Sequence, residues 1–190
     1  PIKGDIPVKS KLLQTEIIEN GKLRGILRLY YEINIPESLS ADKTSRSDNL
    51  INHLITVDVI VHADSRRVEF KTSWNNQSKN HILQLKFKLK DKIYKTVSEN
   101  NLGLIERDFD PDYSISKSMP AQNKQELKTN TAPMQRFVWA DGLGIITEGL
   151  PEYGIDENEL YITILRSTGK ISGGSFATRD IPAGPPLDTP

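Results

Sequence analysis

The feature that most constrains this chain is an alternation of period two. Leu83, Leu85, Phe87 and Leu89 interleave with Gln84, Lys86, Lys88 and Lys90. That places apolar side chains on one face of an extended segment and polar ones on the other. A strand with one wet face belongs in an antiparallel sheet, because parallel sheets are covered on both faces. Leu27, Leu29, Tyr31, Ile33 and Ile35 repeat the pattern against Arg28, Tyr30, Glu32 and Asn34. Val68, Phe70, Thr72 and Trp74 repeat it more weakly, with Glu69 and Lys71 turned to solvent. Val57–Val61 and Leu160–Leu165 are apolar on both faces and are expected at the centres of their sheets.

The turn residues agree with this reading. Asn20-Gly21 lies between two β-type runs and predicts a two-residue type I′ hairpin, both of whose positions need positive φ. Asp64-Ser65 and Asp141-Gly142 divide the next pairs. Helical periodicity is almost lacking, so the expected fold is all-β, an antiparallel β-sandwich. Residues 1–168 are read as the sandwich domain, and 169–190 as an extended Gly/Pro-rich segment leading to an absent continuation. Two stretches interrupt the strands. Pro36–Asn52 is a polar connection with a helical turn expected at Ser40. Asp108–Pro133 runs for 26 residues with three prolines and no period, a length found in functional or docking loops and in mobile surface loops alike.

Composition removes whole classes of function. Hydrophobic residues make up 36% of the chain, enough for a core. The 25 basic and 25 acidic residues balance, so the electrostatic footprint of a nucleic-acid or anionic-membrane binder is missing. With no cysteine, disulfides and thiolate metal sites are excluded; with no apolar leader, the expected location is the cytoplasm, and no run approaches the ~20 residues that span a bilayer. A chain that starts at Pro1 and stops at Thr189-Pro190 is expected to be a piece of a longer protein.

Catalytic signatures do not emerge from the residues. His53, His62 and His81 form no short-spaced ligand cluster. Gly173-Gly174 lacks the rest of a phosphate loop, and no nucleophile elbow is present. Asp108, Asp110 and Asp112 alternate, but Tyr113 and Met119 stand where a calcium loop needs Gly and Glu, so a solvated acidic loop is expected. Trp74, Trp139 and Tyr153 could stack on sugar rings, although Trp74 follows the inward stripe of its strand and is expected in the core.

Several stretches, in order, resemble the C-terminal region of glycoside hydrolase family 38, the α-mannosidases. They are Pro36-Glu37-Ser38-Leu39-Ser40 with Ser45-Arg46-Ser47, then Leu102-Gly103-Leu104-Ile105-Glu106-Arg107, then Ala132-Pro133-Met134-Gln135-Arg136-Phe137-Val138 running on to Glu148-Gly149-Leu150-Pro151-Glu152-Tyr153. Leu160–Gly169, Thr178-Arg179, Ala183-Gly184-Pro185-Pro186 and Thr189-Pro190 complete the series. The resemblance implies a galactose-mutarotase-like β-supersandwich. It implies a bacterial, homo-oligomeric parent enzyme that cleaves terminal α-mannosyl linkages of a mannose-containing glycan with retention, using a carboxylate nucleophile and a divalent metal, usually zinc. The metal and nucleophile would sit in an N-terminal catalytic domain whose motifs are absent here, so this piece is expected to carry no cofactor and no activity of its own. Its β-domain would wall the substrate cleft, with Arg107 and the neighbouring Glu106 as candidate substrate-binding residues, Arg107 alternatively serving in an interdomain salt bridge. Arg136 and Arg166 are expected to be structural. The competing reading is a stand-alone carbohydrate-binding or interaction module.

Overall fold

The structure, a computed structural model, describes residues 8–42, 44–110 and 129–167. All regular structure among them is strand. In chain order these are β1 (Lys11–Asn20), β2 (Arg24–Pro36), β3 (Leu50–His62), β4 (Val68–Trp74), β5 (His81–Lys88), β6 (Lys95–Asn100), β7 (Gly103–Asp108), β8 (Thr131–Pro133), β9 (Phe137–Ala140), β10 (Leu143–Ile146), β11 (Glu152–Asp156) and β12 (Glu159–Ser167). They form three four-stranded sheets, ordered β1-β2-β3-β4, β10-β9-β6-β7 and β5-β12-β11-β8. The ladders with a described register are antiparallel, as the one-sided strands require. The doubly apolar runs do lie inside their sheets: β3 between β2 and β4, β12 between β5 and β11.

The chain divides into two compact units, one running to His81 and the other starting at Ile82. In the first, β1 to β4 make a continuous meander. Ile17, Leu27, Val59 and Phe70 fall in one cross-strand row, and Tyr31, Ile55 and Trp74 in another. Residues opposite one another in a ladder share a face, so this face is largely apolar, with Thr15, Thr72 and His53 as polar members. It is closed at one end only, where Ile33, Ile35 and Ile55 are buried with Tyr31, Val57 and Trp74 packed on them. At the other end Ile17, Leu27, Val61, Val68 and Phe70 are exposed. The inward stripe expected of β4 is therefore only partly inward. On the opposite face Arg28 Nε and Nη2 donate to the two carboxylate oxygens of Asp58 at 2.6 and 2.9 Å, tying β2 to β3. This fork holds Asp58 below its ordinary pKa.

In the second unit the core is Ile93, Ala132, Met134, Val138, Ala140, Tyr153, Ile155, Leu160 and Ile162, with Phe87 and Leu89 of the founding alternation packed against it. Each fully buried Leu or Ile contributes about 1.5–3 kcal/mol. Asp141 and Gly142 have φ of 45° and 82°, the two left-handed positions of a type I′ turn, and join β9 to β10 as expected.

Two expectations are corrected. Neither Asn20 nor Gly21 has positive φ. The hairpin turns instead through Gly21-Lys22-Leu23, with Gly21 N–H donating to the Arg24 carbonyl at 2.9 Å. Leu23 accepts from Ala63 N–H at 2.9 Å, so the neighbouring strand's end fixes a wider loop than the dipeptide favours. The segment between β2 and β3 has no helical turn at Ser40. Ser47 N–H to Ser38 and Ser40 N–H to Ser45, both 3.0 Å, continue the ladder outward, and Ser40 and Thr44 hydroxyls cap the Asp42 carboxylate, which is held down at about 2. Most of the expected 108–133 loop and the whole 169–190 segment lie outside the described residues.

Candidate functional site

Arg107 and Glu106 are adjacent on β7 and therefore face opposite ways. Arg107 stands opposite Thr96, and its Nη1 donates to Ser98 Oγ at 2.6 Å on the core side of the sheet. Glu106 stands opposite Val97 on the outer side, where it accepts from Lys95 Nζ at 2.7 Å. The two are thus not brought together. Arg136 makes a fork to Glu99 at 2.9 and 2.5 Å, and Arg166 reaches Glu152 at 2.5 Å, so both arginines tie neighbouring segments as expected.

The three aromatic candidates separate by burial. Tyr153 is 0% exposed, with its hydroxyl 2.7 Å from Thr96 Oγ1 and its ring 6.0 Å from Phe109. Trp74 is half-buried, its ring 5.5 Å from that of His53 and 5.8 Å from that of His81. Only Trp139, at 46%, offers its indole to solvent.

The histidines do not assemble a metal centre. His53 is buried; its Nδ1 lies 3.1 Å from the Ile51 carbonyl and its Nε2 accepts from Gln77 N–H at 3.2 Å. His62 lies 3.8 Å from Glu69 at the other end of β3. His81 is buried, and no hydrogen bond of good geometry reaches either ring nitrogen, the Lys79 backbone being near enough to interact only weakly. Burial is the largest influence lowering its pKa; the Lys79 backbone exerts a weaker opposing pull, and Arg46 and His53 add to the lowering. Among the described residues no group of three His, Asp or Glu side chains could hold a metal. Asp112 of the acidic alternation lies outside the described residues. Asn76 Nδ2 donates to the Ser78 carbonyl at 2.9 Å, and Ser78 is buried.

Sequence reasoning missed two groupings. The cluster of His53, Trp74 and His81 joins residues from separate strands: the β3–β4 register (Ile55 opposite Trp74) sets Trp74 beside His53, and His81 at the start of β5 meets the same indole. The row of Trp139, Val97 and Glu106 likewise depends on the pairing of β6 with both β7 and β9. The Asn100-Asn101-Leu102-Gly103 turn, with Gly103 at φ 142°, was the one local signal for that hairpin.

These features define an all-β domain of antiparallel sheets. Residues 3–170 match the glycosyl hydrolases family 38 C-terminal domain, and the chain belongs to that family. A glycosyl hydrolase family 38 protein from Enterococcus faecalis superimposes with a TM-score of 0.71 at 22% identity, over 90% of this chain and 20% of that one. An alpha-mannosidase from Enterococcus faecalis V583 does so with a TM-score of 0.72 at 22% identity, over the same 90% and 20%. At that identity the likeness is one of fold. The chain spans about a fifth of the length of the solved structures it matches. No curated protein sequence matches it.

Proposed function

We propose that the chain is the non-catalytic C-terminal β-domain of an α-mannosidase-type hydrolase, a scaffold against which the rest of the enzyme packs. The observation that carries this reading is the open apolar face of the β1–β4 sheet. Ile17, Leu27, Val61 and Val68 are exposed together on it, an aliphatic surface of a kind that free-standing proteins seldom present to water. The matched structures are about five times longer than this chain, so four-fifths of such a parent is at hand to cover it. The parent would hydrolyse terminal α-mannosyl linkages with retention, and its metal and carboxylate nucleophile would lie in the preceding domain. A cytoplasmic, bacterial and homo-oligomeric parent acting on mannose-containing glycans belongs to the same proposal.

The test is an assay of the 190-residue chain with an aryl α-mannoside and added zinc. No turnover above buffer is expected; metal-dependent, saturable hydrolysis would overturn the scaffold reading. Arg107 is the cleft-wall candidate, because a guanidinium at a strand end can donate several hydrogen bonds to sugar hydroxyls. In the parent, Arg107→Ala is expected to lower kcat/KM for mannosides by about tenfold or more, the loss of one charge-assisted hydrogen bond. An unchanged value removes Arg107 from the cleft.

A further inference from the structure

The outer face of the β10-β9-β6-β7 sheet carries one cross-strand row that reads Gly144, Trp139, Val97, Glu106. Val138 and Ala140, on either side of Trp139 in sequence, are fully buried, so alternation turns the indole outward. Its neighbour on β10 is a glycine. A Cβ at Gly144 would lie 3.9 Å from the indole Cδ1, in van der Waals contact, so the missing side chain leaves that flank of the ring uncovered. On the other side the row runs through Val97 to Glu106, where Lys95 Nζ lies 2.7 Å from Glu106 and 3.7 Å from Asp108, with all three charged side chains well exposed. Glu99 of β6, also on this face, is held by the Arg136 fork.

The chemistry of this face is specific. Its charges are largely paired with one another, so both hydrogen-bond donors and acceptors are displayed without a strong field of either sign. Three carboxylates (Glu99, Glu106, Asp108) against two cations (Lys95, Arg136) leave a slight negative excess, which disfavours phosphates and other anions. A partly exposed indole beside paired polar groups, with Leu104 and Ile146 also exposed on this face, fits a neutral ligand with a flat apolar face and a hydroxyl-rich rim. A pyranose ring has that character. The aliphatic face of the first sheet, by contrast, offers no such polar rim.

We propose that Trp139 is the platform of a saccharide-binding site on this face. One pyranose ring stacks on the indole. Hydroxyls of the next ring reach the Glu106–Lys95 pair on β7 and β6, one to two strand spacings away, up to about 10 Å. The site performs no bond cleavage, and it holds whether or not the parent is a mannosidase.

The test is titration of the 190-residue chain with mannotriose, cellotriose and maltotriose, followed by the indole N–H resonances and tryptophan fluorescence. A saturable shift of the Trp139 signal with at least one of them is expected, with Trp74 little changed. Trp139→Ala is expected to weaken binding at least about tenfold, the scale of one lost stacking contact. Gly144→Val, which keeps the indole but lays a side chain against its flank, is expected to weaken it as well and carries the test if Trp139→Ala fails to fold. Glu106→Gln is expected to weaken binding less than either. No saturable response to any of the three sugars, or an affinity unchanged in both Trp139→Ala and Gly144→Val, would overturn the site.

Discussion

The hydroxyls of Tyr153 and Thr96 meet at 2.7 Å in a fully buried setting, which makes each the other's answer to desolvation. Tyr153→Phe keeps the ring and its contact with Phe109 but leaves Thr96 Oγ1 buried and unpaired. The expected loss is about 1–3 kcal/mol, read from urea denaturation. Adding Thr96→Val should return part of it, since both polar partners are then gone; a double variant no better than the single one would show the bond is not the cause. His81 makes a second residue-scale prediction. Its folded-state pKa lies below the ordinary 6.5, chiefly because burial disfavours the imidazolium, with Arg46 and His53 the charged or titratable groups facing it. The unfolded chain therefore binds more protons below about pH 6.5, and stability should fall as pH drops through that value. Thermal melts from pH 7.5 to 5 should decline in the wild type and less steeply in His81→Phe. Neither grouping was legible in the sequence. Tyr153 had three readable features, an aromatic ring, a polar tip and a place in a motif, yet its burial comes from strands far away in the chain.

At the scale of elements, the tightest local fit is on β11 and β12, where Gly154 stands opposite Tyr161 and the phenol ring lies across the glycine backbone. Any side chain at Gly154 would occupy the space of that ring. Gly154→Val is expected to cost about 1–3 kcal/mol through overpacking. Tyr161→Ala should cost less in that background than in the wild type, because the valine then fills part of the space the ring leaves, a non-additivity that a double-mutant cycle would detect. Additive costs would mean that the two side chains do not compete. Strands and their neighbours were the legible part of this fold, because period-two alternation is written residue by residue and the doubly apolar runs marked the interior strands. Turns were legible only where they act alone. Asp141-Gly142 takes up both left-handed positions, whereas Asn20-Gly21 is overridden by the hydrogen bond from Ala63 to Leu23. The same tertiary dependence hid the β6 strand, whose Lys95–Asn100 sequence alternates without a strong apolar face.

On the whole-molecule scale, the family was readable from ordered motifs, but the two surfaces on which the proposals rest were not, since each is assembled from several strands. Phe70 separates the ways the first of those surfaces could be used. It lies on β4, at the edge of the first sheet, and is 49% exposed. In the isolated chain Phe70→Ala removes a side chain that is half in water already, so a change of no more than about 1 kcal/mol is expected, the scale of a surface substitution. In a parent whose remaining four-fifths covers this face, the same substitution empties a buried site, and the expected cost rises to about 3–5 kcal/mol. Phe70→Glu sharpens the contrast. It should raise the solubility of the isolated chain, by breaking up the apolar face with a charge, while destabilising the parent by burying that charge without a partner. Denaturation curves of chain and parent, each with both variants, measure the difference directly. If Phe70→Ala costs the parent no more than it costs the chain, the β1–β4 face is open in both and the scaffold contact lies elsewhere.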